Sequence, residues 1–202
     1  IKGVYSTLKQ FNMTTKDTAK VSALLFYATQ KTALEFPDLI HAFKMTGAVM
    51  GQAKEPLTTM VAVLGAIGNA GFRGSQAGRA LRQTYIKIVK PTAAAKKELD
   101  ALFKAQGGYN KVAFDSKGNF IGMEKYVMKL AKATKGMTYL QKAHLLATIT
   151  TANELPVMTQ MLRMAENAIK SGDKSWVDFA VNQEKATEAF NKSWNILSTS
   201  WR

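Results

Sequence analysis

The chain has 202 residues and 47% hydrophobic content, enough for one domain with a real core or two small ones, which excludes a disordered segment. Its 28 Lys and Arg against 14 Asp and Glu give a net charge of +14, which attracts nucleic acid, anionic lipid or an acidic protein wall. No cysteine is present, ruling out disulfides, cysteine-rich zinc sites and cysteine nucleophiles.

The sequence opens at Ile1 without a signal-peptide pattern, and a helical pattern is still running at Arg202. The expectation is a single helical segment, residues 1–202, of a longer protein. Thr14 or Thr15 is placed to cap a helix whose Val21, Leu24, Leu25 and Ala28 share one face. Pro37 fits the first turn of a second helix bearing Leu39, Ile40, Phe43 and Val49, and Pro56 fits the first turn of a third, "PLTTMVAVLGAIGNAG". The apolar run in that third helix is too short for a bilayer, which needs about 20 apolar residues.

A glycine-rich corner, "GNAGFRGSQAGRALRQ", follows at residues 68–83. Ser75 is positioned as the N-cap of the next helix, in which Ala77, Leu81, Tyr85 and Ile88 form the apolar stripe and after which Pro91 stops the pattern. A charged helix, "AAAKKELDALFKAQ", runs to Gly107 and Gly108. The period then changes: Val112 to Phe114 and Phe120 to Ile121 flank Asp115-Ser116-Lys117-Gly118, which predicts one small β-hairpin or ordered loop near residues 111–121.

Helices resume at "MEKYVMKLAKAT", "TYLQKAHLLATITT" and "LPVMTQMLRMAENAIKSG". In the final stretch Phe190, Trp194, Leu197 and Trp201 recur at spacings of four and three, the seam of a helix seeking a partner, either a second copy or a missing continuation. The fold class is mainly α, a multi-helix antiparallel bundle-like domain, with residues 107–122 the candidate place for two helical halves to meet.

The corner invites a phosphate-binding reading, which its residues oppose. A P-loop requires a preceding strand and Gly-Lys-Ser/Thr, and a dinucleotide fingerprint requires Gly-x-Gly; neither is present. Gly71 and Gly74 instead permit positive φ at a helix end, and Gly78 permits close helix packing. Arg79, Arg82 and Lys90 fall opposite the Leu81 stripe, with Arg73 in the corner before them. This is either a solvated basic face or a contact for phosphates or acidic side chains.

His41 and His144 have no metal-ligand spacing, so no metal and no cofactor are expected. Asp115 with Glu124, or Glu154 with Glu166, supplies carboxylate pairs on paper only. Met158, Met161 and Met164 follow helical spacing and read as core fillers. What remains is a binding or structural role without a catalytic site or small-molecule substrate.

The segment "GFRGSQAGRALRQ" resembles the Gly-small-Gly-Ser-x-Ala-Gly-x-x-Leu-Arg signature of the core region of phage tail tape measure proteins, carried here by Gly71, Gly74, Ser75, Ala77, Gly78, Leu81 and Arg82. That family continues with a Leu-containing helix, an Asp-x-x-Gly loop and an amphipathic helix, matched by Leu99, Asp115, Gly118 and Leu130; the likeness covers roughly residues 15–170. It implies a virion structural protein that sets tail length during assembly, occupies the tube lumen and leaves ahead of the genome. Implied partners are tail-tube protein, tail assembly chaperones, tail-tip proteins and the end of the genomic DNA. A compact globule of this length has a radius of gyration of about 17 Å, wide for a tube that passes one duplex. Under the resemblance the segment is therefore elongated in the tube, partly unfolds or sits at a wider place near the tail tip, and the expectation is a segment that rearranges its helices.

Overall fold

The computed structural model describes Lys2–Trp176. The seam residues Phe190, Trp194, Leu197 and Trp201 lie outside the described residues. Among the described residues there are ten α-helices and no strand, so the fold is mainly α. Two compact units are present. The described residues of the first are 2–79, and the second is Ala80–Trp176. The division falls within helix α5 (Gly74–Val89), and the loop at 107–122 belongs to the second unit.

In the first unit, α1 (Lys2–Gln10) packs on α2 (Thr18–Lys31) and α3 (Phe36–Gln52), and α4 (Leu57–Asn69) packs on α2 and α3. Local chemistry sets the starts. Thr14 donates its N–H (2.9 Å) and its hydroxyl (3.0 Å) to the Asp17 carboxylate, closing a 3-10 turn that leads into α2. The Asp38 carboxylate takes the Glu35 N–H at 3.1 Å, and Pro37 occupies the first turn of α3. Pro56 stands at the N-cap of α4.

Helix α4 is buried almost all round, from Met60 to Leu64 and again at Ile67, which identifies it as the core helix of its unit. Around it lie Leu24, Leu25, Leu39, Phe43 and Met50, all at most 2% exposed. The backbones come very close where α1 meets α3: a Cβ on Gly51 would sit 1.7 Å from the Gln10 carbonyl oxygen. Two residues beyond the end of each helix stands a non-glycine residue in the left-handed region, Asn12 (φ 53°) after α1 and Lys54 (φ 59°) after α3.

The second unit pairs α8 (Met123–Ala133) with α10 (Leu155–Ser171), and α6 (Ala93–Leu102) with α9 (Tyr139–Ile149). Thr92 and Thr138 cap α6 and α9, accepting the N–H groups of Ala95 and Gln141 at 3.2 and 3.3 Å. Met158 and Met161 are core residues as expected, and Met164 is half-buried. Trp176 closes the unit, fully buried, its indole N–H donating to the Glu124 carbonyl at 3.1 Å.

No hairpin forms near residues 111–121; a short helix leads into an ordered loop from Phe114. Val112 and Ala113 belong to a short helix, α7 (Tyr109–Ala113), and the pairing across the turn is a single antiparallel bridge between Phe114 and Phe120. The cause lies upstream: the Asp100 carboxylate, held by Lys96 at 2.6 Å, accepts the Tyr109 N–H at 2.8 Å and starts a helical turn where the apolar run alone favours a strand.

Glu154 is 5% exposed and meets Lys87 at 3.2 Å, tying α10 to the second-unit part of α5. Burial pushes its carboxyl up, but hydrogen bonds from the Thr151 hydroxyl, Lys87 and the Thr151 N–H, with the Lys87 charge, outweigh this and hold it below its ordinary value. A carboxyl with a lowered folded pKa adds stability above its unfolded value, and that stability is lost as pH falls through the folded one. We expect Glu154→Gln to cost about 2 kcal/mol at neutral pH, since Lys87 is partly solvated. Below about pH 4.5 the gap to wild type narrows; urea denaturation followed by circular dichroism at two pH values measures both effects.

Candidate functional site

The glycine corner is built from a helix ending, a left-handed turn and a close crossing. Helix α4 finishes with paired bonds, Phe72 N–H to Ile67 C=O and Gly71 N–H to Gly68 C=O, both 3.0 Å, with Gly71 at φ 94°. This is the Schellman arrangement, which needs a residue free to enter the left-handed region. Gly74 follows at φ 54° and opens α5 itself. Ser75 therefore lies in the first turn of α5 rather than at its N-cap. The Ala77 N–H goes to the Arg73 carbonyl at 3.3 Å, so the entry is shaped by glycine and backbone.

Gly78 is the contact point of the corner. A Cβ there would lie 2.4 Å from the Ala42 carbonyl oxygen and 2.7 Å from the Ala42 Cα, so α5 touches α3 backbone to backbone. Ala77 and Leu81 on either side are buried. Gly71, by contrast, has open space where its Cβ would be.

The Asp115–Gly118 turn lies in the second unit. Asp115 Oδ1 accepts N–H groups from Lys117 (2.8 Å) and Asn119 (2.9 Å), while the Gly118 N–H reaches the Asp115 carbonyl at 3.0 Å. The Asn119 bonds, backbone first, and then the Lys117 N–H hold the Asp115 carboxyl below its ordinary value. This turn fastens the Phe114–Phe120 ring pair, centroids 6.1 Å apart, and presents Phe120 to Tyr85 of α5 at 5.8 Å and to Tyr126 at 6.0 Å. Tyr109 joins the cluster and donates its hydroxyl to the Ile88 carbonyl, and burial pushes the hydroxyls of Tyr109 and Tyr126 well above their ordinary value. Within the second unit the Asp-x-x-Gly loop thus packs on the helix that the glycine corner launches.

Arg73, Arg79 and Lys90 are exposed, and Arg82 is half-buried with its Nε enclosed and without a hydrogen-bond partner. Arg79, Arg82 and Lys90 share the face of α5 opposite Leu81. Ile86, 40% exposed, lies on that face too. Sequence reasoning passed over Ile86, although the spacing 79, 82, 86, 90 places it there. The face is therefore basic with an apolar centre, an arrangement common in protein contacts. Lys87 lies off it, engaged with Glu154.

The carboxylate pairs considered from sequence do not form. Asp115 holds its own turn, Glu124 accepts the Ser175 hydroxyl, Glu154 pairs with Lys87, and Glu166 pairs with Lys142 at 2.6 Å. Among the described residues no group of His, Asp or Glu is disposed to hold a metal, and no helix is long and apolar enough to cross a membrane.

A helical fold organised by this corner agrees with what sequence comparison finds. The phage-related minor tail protein family matches residues 2–150, and the chain belongs to it: this is a phage tail protein, with its place in the virion tail. It is similar to the tape measure protein of Pneumococcus phage Dp-1, 29% identical over 157 residues, which are 78% of this chain and 13% of that protein. No solved structure matches the chain.

Two substitutions separate the roles of the glycines. Gly78→Ala forces α5 off the Ala42 backbone and is expected to cost about 3 kcal/mol. Gly71→Ala meets no clash and is expected to cost about 1 kcal/mol for its positive φ. Thermal denaturation of the two variants gives the order; a larger loss at Gly71 contradicts this account of the corner.

Proposed function

We propose that this chain is a segment of a tape measure protein, which sets tail length during assembly, occupies the tube lumen or the tail tip, and leaves on genome ejection. The observation that carries the reading is the likeness to the Dp-1 protein across 78% of the chain. The glycine corner and the Asp115–Gly118 turn support it, since both motif parts have a structural use in the fold. The role calls for no catalytic site, and Asp115, Glu124, Glu154 and Glu166 are taken up in structural hydrogen bonds or ion pairs.

Its partners in this reading are tail-tube protein, the assembly chaperones met in the host cytoplasm, and tail-tip proteins. The basic face of α5 addresses an acidic tube lining: an arginine guanidinium pairs with carboxylates through two parallel bonds, and Ile86 adds an apolar contact that a phosphate backbone does not use. Binding to the genome end through the same charges is the second reading, favoured by the net charge of +14. Self-association through Phe190, Trp194, Leu197 and Trp201 belongs to the proposal as well.

Light scattering of the segment with purified tail-tube protein, at low and moderate salt, tests the reading. A complex is expected, weakened about tenfold by Arg79→Gln combined with Lys90→Gln, two exposed positions whose loss leaves the fold intact. No complex with tube protein, together with duplex DNA binding that falls steeply in salt, overturns it in favour of a nucleic-acid module.

A further inference from the structure

The two units are built to different standards of local stability. Seven glycines fall within helix spans, Gly3, Gly47, Gly51, Gly65, Gly68, Gly74 and Gly78, all in the first unit, and of these Gly47, Gly65 and Gly78 stand well inside their helices. The glycines of the second unit, from Gly107 to Gly172, stand at helix ends and turns, where they cost little. An interior glycine lowers helix propensity more than any residue but proline, so helices α3 and α4 are held by packing rather than by their own preference.

Among the described residues, three of the four enclosed side-chain polar atoms without a hydrogen-bond partner lie in the first unit: the hydroxyls of Thr46 and Thr59, each 1% exposed, and Gln10 Oε1; the fourth, Arg82 Nε, is in the second. Unpaired groups of this kind favour the open state, in which water satisfies them. The two non-glycine residues at positive φ, Asn12 and Lys54, are in the same unit. The second unit holds the interlocked rings of Tyr85, Phe103, Tyr109, Phe114, Phe120 and Tyr126, and the ion pairs Lys87–Glu154, Lys96–Asp100 and Lys142–Glu166.

We infer that the segment is a two-stage device, in which the first unit opens while the second stays folded, the boundary falling inside α5 at Arg79–Ala80. Only the use of this step, a partial unfolding that narrows the segment within a tail, rests on the tape measure reading. The order of opening is a property of the chain alone.

Hydrogen exchange read by mass spectrometry on the purified 202-residue chain, across a urea series, tests the order. Peptides from α4 are expected to lose protection at lower urea than peptides from α8 and α10, with protection in water at least tenfold weaker. Loss at one common urea concentration, or loss in α8 first, overturns the inference.

Thr46→Val combined with Thr59→Val supplies a second measurement, since removing the unpaired hydroxyls is expected to raise protection in α3 and α4 and leave α8 unchanged. A rise in both units, or in neither, counts against the proposal. Neither experiment involves tube protein, so their failure leaves the binding test standing, and failure of that test leaves these.

Discussion

The approach of Gly78 to the Ala42 backbone is the constraint from which the rest of the corner follows. At 2.4 Å from a would-be Cβ to a carbonyl oxygen, no other residue fits, and α5 is set against α3 at contact distance. To start there, α5 must leave α4 within four residues, which the Gly71 turn and the Gly74 entry allow. The same helix then supplies Tyr85, Lys87 and Ile88 to the second unit, where a ring contact, an ion pair and a hydrogen bond receive them. The small residues of the corner are thus there for geometry, with Arg73 and Arg79 left exposed.

Much of the fold was legible because its signals are local. Pro37 and Pro56 mark helix starts through their fixed φ, Gly71 marks a helix end, and the Ala77–Leu81–Tyr85–Ile88 stripe gives the buried face of α5. What escaped depends on residues distant in sequence. The helical turn at Tyr109 is decided by Asp100, nine residues earlier, and three apolar residues in a row carry no period of their own. The misplacement of Ser75 has a different origin, since a capping hydroxyl and a left-handed glycine are alternative solutions to one problem and this chain uses the glycine. The division at Arg79–Ala80 falls within an unbroken helix and leaves no breaker to read.

The candidate site was legible in its charges and less so in its character. Arginines on the polar side of an amphipathic helix are visible from their spacing, but exposure of Ile86 turns a plain cationic stripe into a mixed surface. That difference bears on partners: a polyanion is drawn by charge alone, whereas a folded protein wall also covers apolar area. The carboxylates tell the opposite story, since each residue that looked available on paper proved to be engaged, Asp115 within its own turn and Glu124, Glu154 and Glu166 with residues distant in sequence.

The anchoring of Trp176 on the Glu124 carbonyl carries a consequence for the order of events on the ribosome. The described residues of the first unit are complete in the nascent chain by Arg79, and their helix contacts are available while the remainder is still being made. The second unit has to wait: Lys87 meets Glu154 only after 67 further residues, and the indole that seals the core comes last. Translation therefore lets residues 2–79 begin to pack early, while the ring-packed unit has to wait for residue 176. Between those moments α6 to α9 exist without all of the partners that later cover them.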